Sequence, residues 1–265
     1  MSINISDLLN PAIALAENAA VEILKIYRSE FAYQQKPDNT PLTDADLAAH
    51  KLIIRGLSEL SPDIPILSEE DAYIPFKTRQ NWKSYWLVDP LDGTREFIKR
   101  NGEFTINIAL IENQLPILGV ILVPVSGTCY YATKNGGAFK VIKDEQPESI
   151  SVRKVPNDRI HVAGSRSYLD NSLDTFLNNL KNYELTKMGS SLKSCLVAEG
   201  KVDIYPRLGP TSEWDTAAAQ CIVEEAGGYI TTTDLKQLRY NTKDSLLNPH
   251  FLVFGDKNHD WPSYI

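Results

Sequence analysis

The segment Asp89-Pro90-Leu91-Asp92-Gly93-Thr94 carries residue types that could hold a divalent cation and a phosphate. It follows a short apolar run, residues 85–88, which reads as a strand ended by Asp89-Pro90, because proline cannot continue a sheet ladder. Asp92-Gly93 turns the chain, and Thr94 is placed to cap a short helix that begins near Arg95. Two carboxylates on such a turn can face one point. A hard divalent cation takes oxygen ligands there, and the Leu91 carbonyl can complete the shell. The amide hydrogens of a helix start suit a phosphate oxygen at the same place. Asp and Gly also build ordinary solvated turns, so the segment alone leaves that reading open.

Two further acidic groups bear on the choice. Glu69-Glu70-Asp71 follows the apolar run Ile66-Leu67-Ser68, and Trp214-Asp215 opens a helical stretch, residues 212–226. Each has an ordinary role, as a solvated face or as a first-turn acid favoured by the helix dipole. They gain meaning if the fold carries them to Asp89 and Asp92. An EF-hand is excluded, because Arg100 falls where its twelfth-position glutamate belongs. A phosphatase of the haloacid-dehalogenase type has one residue between its aspartates. Here there are two, which makes a nucleophilic-aspartate enzyme the second choice.

These groups sit in a chain of 265 residues, enough for one domain or two and for a core that needs no disulfide or metal merely to fold. Hydrophobic residues make up 43% and charged residues 23%, values of a globular protein. Asp plus Glu is 34 against 27 Lys plus Arg, a net charge of −7. That balance argues against tracking a nucleic-acid polymer and against charge-driven membrane binding. Cys129, Cys195 and Cys221 have no metal-ligand spacing and read as small buried hydrophobes in a reducing cytoplasm. His50, His161, His250 and His259 form no metal pattern, and Trp82, Trp86 and Trp261 read as packing residues. The first 20 residues lack a basic leader, so no signal peptide is expected. The longest apolar stretch, residues 115–125, is broken by Pro116, Gly119 and Pro124 and is too short for a transmembrane segment.

Periodicity gives the elements that must position the acids. Leu8, Leu9, Ile13, Ala16, Ala20, Ile23, Leu24 and Tyr27 follow helical spacing, with Ser6 and Asp7 as cap candidates. Residues 34–41 form a Pro-rich loop, a candidate lid that includes Lys36, and Thr43 caps a second helix to about Leu57. Strands are expected at 85–88, 104–111, 117–123 and 129–132. The second half is expected to mix strands at 160–163, 202–205, 229–232 and 251–254 with helices at 172–180, 191–199 and 212–226. Residues 143–148 are a plausible seam. One catalytic unit is expected, an N-terminal part (1–145) with most candidate metal ligands and a C-terminal part (146–265) with Asp215. Two α/β layers sharing an interface are the simplest architecture.

Residues 86–94, Trp-Leu-Val-Asp-Pro-Leu-Asp-Gly-Thr, resemble the first signature of the inositol monophosphatase superfamily. Trp214-Asp-Thr-Ala-Ala-Ala219 with Glu225-Ala-Gly-Gly228 resembles its second, in the right order, and the likeness covers essentially the whole chain. Residues 96–104, Gly189-Ser-Ser-Leu-Lys193 and Tyr205-Pro-Arg207 are similar to the bisphosphate nucleotidases of that superfamily. The resemblance implies an α/β fold layered as an αβαβα sandwich. It implies magnesium-dependent removal of the 3′-phosphate of 3′-phosphoadenosine 5′-phosphate, giving AMP and clearing a by-product of sulfate assimilation, with sensitivity to lithium.

Site residues follow from the same resemblance. Two or three Mg2+ are implied per site, with Glu69, Asp89 and the Leu91 carbonyl around one and Asp89, Asp92 and Asp215 around a second. Glu69 and Thr94 are implied as catalytic, with Asp46 of Thr43-x-x-Asp46 as the partner of Thr94. The register between Glu69 and Glu70 stays open. Substrate contacts are expected at Glu69, Leu91, Asp92, Gly93, Thr94 and Asp215. Two phosphates beside an acidic cluster demand basic groups, for which Lys193 and Arg207 are the candidates, with Arg166 behind them. Ser165, Ser190 and Ser191 can add hydrogen bonds. The expected partner is a small-molecule bisphosphate nucleotide, the expected state a cytoplasmic monomer, with peripheral contact at the inner membrane left open. Competing readings are an inositol monophosphate or fructose 1,6-bisphosphate substrate, and a silent binder of phosphorylated ligands.

Overall fold

The structure, a computed structural model, describes residues 5–35, 41–156, 158–167 and 171–265. Helix α1 (Ile5–Tyr27) is already formed at Ile5, so Ser6 and Asp7 lie inside its first turn and not at a cap. The expected loop after it is partly strand: β1 (Tyr33–Gln35) pairs antiparallel with β2 (Pro41–Thr43). The rest of the candidate lid, with Lys36, lies outside the described residues. Helix α2 (Asp44–Leu60) starts at an N-cap, Thr43, that forms a capping box with Asp46. Strand β3 (Ile66–Ser68) runs into a 3-10 turn, Glu69–Asp71, followed by the short helix α3 (Phe76–Arg79).

Strand β4 (Ser84–Asp92) does not end at Asp89-Pro90 as expected; it continues to Asp92, with its register shifted between Asp89 and Asp92. Such an irregularity lets Pro90 sit in the strand and re-aims the side chains around it. Gly93, at φ 91°, is the N-cap of helix α4 (Thr94–Ile98), so Thr94 is the first helical residue and not the cap. Strands β5 (Thr105–Glu112), β6 (Leu115–Val123), β7 (Thr128–Thr133), β8 (Gly137–Val141) and β9 (Glu148–Ile150) follow. Residues 143–148 lead from β8 to β9 of the same sheet, and the chain crosses to a second sheet after Ile150. That part comprises β10 (Ile160–Ser165), α5 (Asn171–Leu180), β11 (Tyr183–Met188), α6 (Leu192–Ala198), β12 (Ile204–Arg207), α7 (Glu213–Glu225), β13 (Tyr229–Thr232) and β14 (Phe251–Phe254).

Among the described residues the first sheet has seven strands in the order β3-β4-β5-β6-β7-β8-β9, antiparallel except for the β3–β4 pair. The second has five, in the order β11-β10-β12-β14-β13. Helices α1 and α2 cover one face of the first sheet, where Ile23, Ile53, Trp86, Val88, Ile106 and Ile108 pack together. Helices α6 and α7 lie between the sheets, and α5 packs with Phe254 and Trp261 on the far side of the second. The layers are therefore α, β, α, β, α. Period-2 alternation explains the near-continuous apolar reading of β4 and β5: Tyr85 and Leu87 face α7 while Trp86 and Val88 face α1 and α2.

Helix α7 is sandwiched tightly enough to need small residues. Ala217, Ala218 and Ala219 are buried, and a Cβ on Gly119 of β6 would come 2.4 Å from the Ala218 carbonyl oxygen. Helix α7 also packs against β4, and its start brings Asp215 to Asp89 and Asp92 at the end of that strand. No helix among the described residues is long and apolar enough to cross a membrane.

Candidate active site

A cleft of about 480 Å³ opens where the ends of β3 and β4 meet the first turns of α4, α6 and α7. Its floor is acidic: oxygens of Asp89, Asp92 and Asp215 lie within 4.8 Å of one another. Asp89 is buried on β4, and its Oδ1 accepts the Leu91 amide at 3.0 Å. Burial, and after it the charges of Glu69, Asp92 and Asp215, push the Asp89 carboxyl well above the usual carboxylate range. Burial, then Asp92 and Glu69, push Asp215 up in the same way. Four acids crowded in one buried corner repel one another unless a cation joins them.

The 3-10 turn after β3 decides which acid joins the cluster. Glu69 hydrogen-bonds to the Asp89 side chain, whereas the charge of Glu70 acts on His50. The sequence leaves this register open because the two glutamates are adjacent. Hard carboxylate oxygens with the Leu91 carbonyl nearby are the donor set that a divalent cation takes, so the residues present fit such an ion.

Two of the acids share one local construction. Asp46 and Asp215 both stand third in a helix whose N-cap amide they accept, Thr43 N to Asp46 Oδ2 at 2.8 Å and Ser212 N to Asp215 Oδ2 at 2.9 Å. Each helix start thereby locks an aspartate rotamer at the cleft. Asp46 Oδ1 accepts the Thr94 hydroxyl at 3.3 Å, and that hydroxyl also lies 3.4 Å from the Leu91 carbonyl oxygen.

Asp92 is held from the other part of the chain. Its Oδ2 accepts Ser190 Oγ, Ser191 N and Ser191 Oγ, each at 2.7 Å. Gly93 and Gly189 let these loops approach: a Cβ on Gly189 would come 2.6 Å from the Glu103 carbonyl oxygen. Lys193 is buried, not solvated; its Nζ donates to the Ser190 carbonyl and lies 5.2 Å from the centroid of the Tyr205 ring. Burial lowers its pKa to about 8, against the opposing pull of Asp92. Arg207 lines the same wall and donates to the Pro210 carbonyl at 2.8 Å. Ser165 lines the cleft, but Arg166 does not; its fork is closed on Glu103 at 2.6 and 2.7 Å. Sequence reasoning missed Thr105 and Asn107 of β5, which contact Ser190 and Ser191. The only signal in the sequence was two polar residues in an otherwise apolar strand.

The layered fold and the carboxylate cluster define a class, and comparison with known proteins agrees: residues 4–260 match the profile of the Inositol monophosphatase family, to which this chain belongs. Within it, the chain is 48% identical over 252 residues, 93% of its length and 99% of the relative's, to the 3′(2′),5′-bisphosphate nucleotidase CysQ of Salmonella typhimurium. It is 40% identical to the protein of that name in Haemophilus influenzae, covering 97% of this chain and 96% of the other. The crystal structure of CysQ from Bacteroides thetaiotaomicron superposes with a TM-score of 0.80 at 41% identity, covering 92% of this chain and 96% of that one. An IMPase of Thermotoga maritima, 24% identical, shares the fold at a TM-score of 0.78, covering 95% of this chain and 93% of that one.

Proposed function

We propose that this chain is a metal-dependent phosphatase that hydrolyses the 3′-phosphate of 3′-phosphoadenosine 5′-phosphate to give AMP and inorganic phosphate. The observation that carries the reading is the acid cluster at the cleft floor, in a chain 48% identical to a named bisphosphate nucleotidase over 93% of its length. The hydrolysis breaks the bond between phosphorus and the ribose O3′, which leaves as the hydroxyl by taking up a proton from solvent, and forms one to a water oxygen. The chain supplies Thr94 and Asp46 to orient that water: the Thr94 hydroxyl accepts its proton while passing its own to Asp46 Oδ1. Glu69, hydrogen-bonded to Asp89 and lining the cleft, shares in activating that water. Gly93 and the first turn of α4 present amides to the transferred phosphate.

Glu69, Asp89, the Leu91 carbonyl, Asp92 and Asp215 are the groups that would hold divalent cations, magnesium in this reading and two or three per site. Such ions offset phosphate charge and lower the pKa of water. Lys193 and Arg207, which line the same cleft within reach of the charges of Asp92 and Asp215, supply positive charge for the second phosphate. Inhibition by lithium, a cytoplasmic setting and a role in clearing a product of sulfate assimilation belong to the same reading.

The test is phosphate release, with magnesium, from the bisphosphate nucleotide, inositol monophosphate and fructose 1,6-bisphosphate in parallel. Fastest turnover of the nucleotide is expected. Faster turnover of either alternative overturns the substrate assignment.

A further inference from the structure

Asp92 takes three hydrogen bonds on one oxygen, and two of them come from serine hydroxyls with a single proton each. A hydroxyl proton rotates freely, so something must aim it. Behind Ser190, Thr105 Oγ1 lies 2.6 Å from Ser190 Oγ. Behind Ser191, Asn107 Nδ2 donates to Ser191 Oγ at 2.9 Å. Thr105 and Asn107 sit on β5, in the interior of the seven-stranded sheet, 0% and 1% exposed. Neither lines the cleft.

The proton count gives the direction of both relays. A carboxylate oxygen only accepts, so the Ser190 proton is drawn to Asp92. Thr105 has one proton for two acceptors, Asn107 Oδ1 at 2.9 Å and Ser190 Oγ at 2.6 Å; with the Ser190 proton drawn to Asp92, the shorter contact is made by the Thr105 proton. The Asn107 amide likewise fills an acceptor position on Ser191 Oγ. That turns the Ser191 proton toward its two acceptors, Asp92 Oδ2 at 2.7 Å and the Asp215 carbonyl at 2.9 Å. The loop backbone is pinned as well: Ser190 is at φ 54°, a conformation that persists only when its surroundings enforce it. The Gly189 amide donates to Glu103 Oε2 at 2.8 Å, and Lys193 holds the Ser190 carbonyl.

We infer that Thr105 and Asn107 are positioning residues: acting through Ser190 and Ser191, they fix Asp92 Oδ2 and so set the affinity of the cleft for a divalent cation. The inference rests on the reading of Asp92 as a cation ligand. It also gives the two serines a task other than the expected substrate contact: Ser190 donates to Asp92 Oδ2, and Ser191 to Asp92 Oδ2 and the Asp215 carbonyl. Partners behind a ligand typically change metal affinity by about ten- to a hundredfold.

The test measures binding of Mn2+ alone, without substrate, from the electron paramagnetic resonance signal of the free ion. Thr105→Val keeps the shape and removes the proton. It is expected to weaken Mn2+ binding about tenfold, while KM for the nucleotide at saturating cation stays within about twofold and Thr105→Ser restores the affinity. Because Thr105 acts through Ser190, Thr105→Val is expected to add nothing to Ser190→Ala. Wild-type Mn2+ affinity in Thr105→Val, or additive losses in the double variant, overturns the inference. Absence of Mn2+ binding by the wild-type protein overturns the cation reading itself, a separate result. If Thr105→Val fails to fold, the cycle of Asn107→Ser with Ser191→Ala decides by the same criterion.

Discussion

Thr94 Oγ1 donates to Asp46 Oδ1 at 3.3 Å, while Asp46 Oδ2 is held by the Thr43 amide at 2.8 Å and the Thr43 hydroxyl at 2.6 Å. One carboxylate thus closes a helix cap with one oxygen and serves the cleft with the other. The two tasks separate by mutation. Thr94→Val is expected to lower kcat by about 10²–10⁴ with little change in melting temperature, since it leaves the cap intact. Asp46→Ala is expected to lower kcat similarly and also to cost about 1 kcal/mol of stability through the lost cap. Steady-state kinetics and thermal melts check both.

The crowded acids predict a cation-dependent stability. An ion that binds only the folded state at a hundred times its Kd adds about 2.7 kcal/mol. Magnesium is therefore expected to raise the melting temperature of the wild-type chain relative to a chelator. Asp89→Asn is expected to abolish that rise together with turnover, yet to melt no lower in chelator, because it removes a buried charge that its neighbours oppose. Near wild-type turnover in Asp89→Asn would reject the ligand assignment.

Glu213 gives a pH signature. Burial pushes its carboxyl up to about 7, against the opposing Asn241 amide and the Arg79 charge. The unfolded carboxyl titrates at about 4.3, so between those values the folded chain holds the extra proton. Its contribution to stability is full below the unfolded value and is lost as pH rises through about 7. Glu213→Gln keeps an acceptor for Asn241 N, which now lies 2.8 Å from Glu213 Oε2. With magnesium saturating, the variant is expected to show a flatter melting curve against pH than wild type over about 4.5–7. Parallel curves would contradict the assignment.

Arg207→Gln tests the second phosphate. A lost charge-assisted hydrogen bond of about 1.5–3 kcal/mol corresponds to roughly ten- to a hundredfold in KM for the bisphosphate nucleotide. A substrate with one phosphate is expected to lose much less. Equal losses on both would remove Arg207 from that role.

What the sequence disclosed depended on how local the signal was. Asp89 and Asp92 stand out because a turn concentrates them within four residues, α1 is legible from its apolar periodicity, and the start of α2 from its threonine cap. Strands β8, β9 and β11 escaped because they are short, or polar and partly exposed, and so lack clean alternation. The end of β4 was misjudged because a register shift accommodates Pro90 inside the strand. The choice of Glu69 over Glu70 depends on a 3-10 turn, and the roles of Thr105 and Asn107 depend on contacts with residues 84 and 85 positions away in sequence. No periodicity encodes such distant pairings.

The product of the reaction tests the central claim most directly. Incubation of 3′-phosphoadenosine 5′-phosphate with the protein and magnesium, followed by chromatographic separation of the nucleotides, reads out which phosphate leaves. The expected products are 5′-AMP and one equivalent of inorganic phosphate, with no product when magnesium is chelated. Adenosine 3′-phosphate as the product, or turnover that persists in chelator, would contradict it.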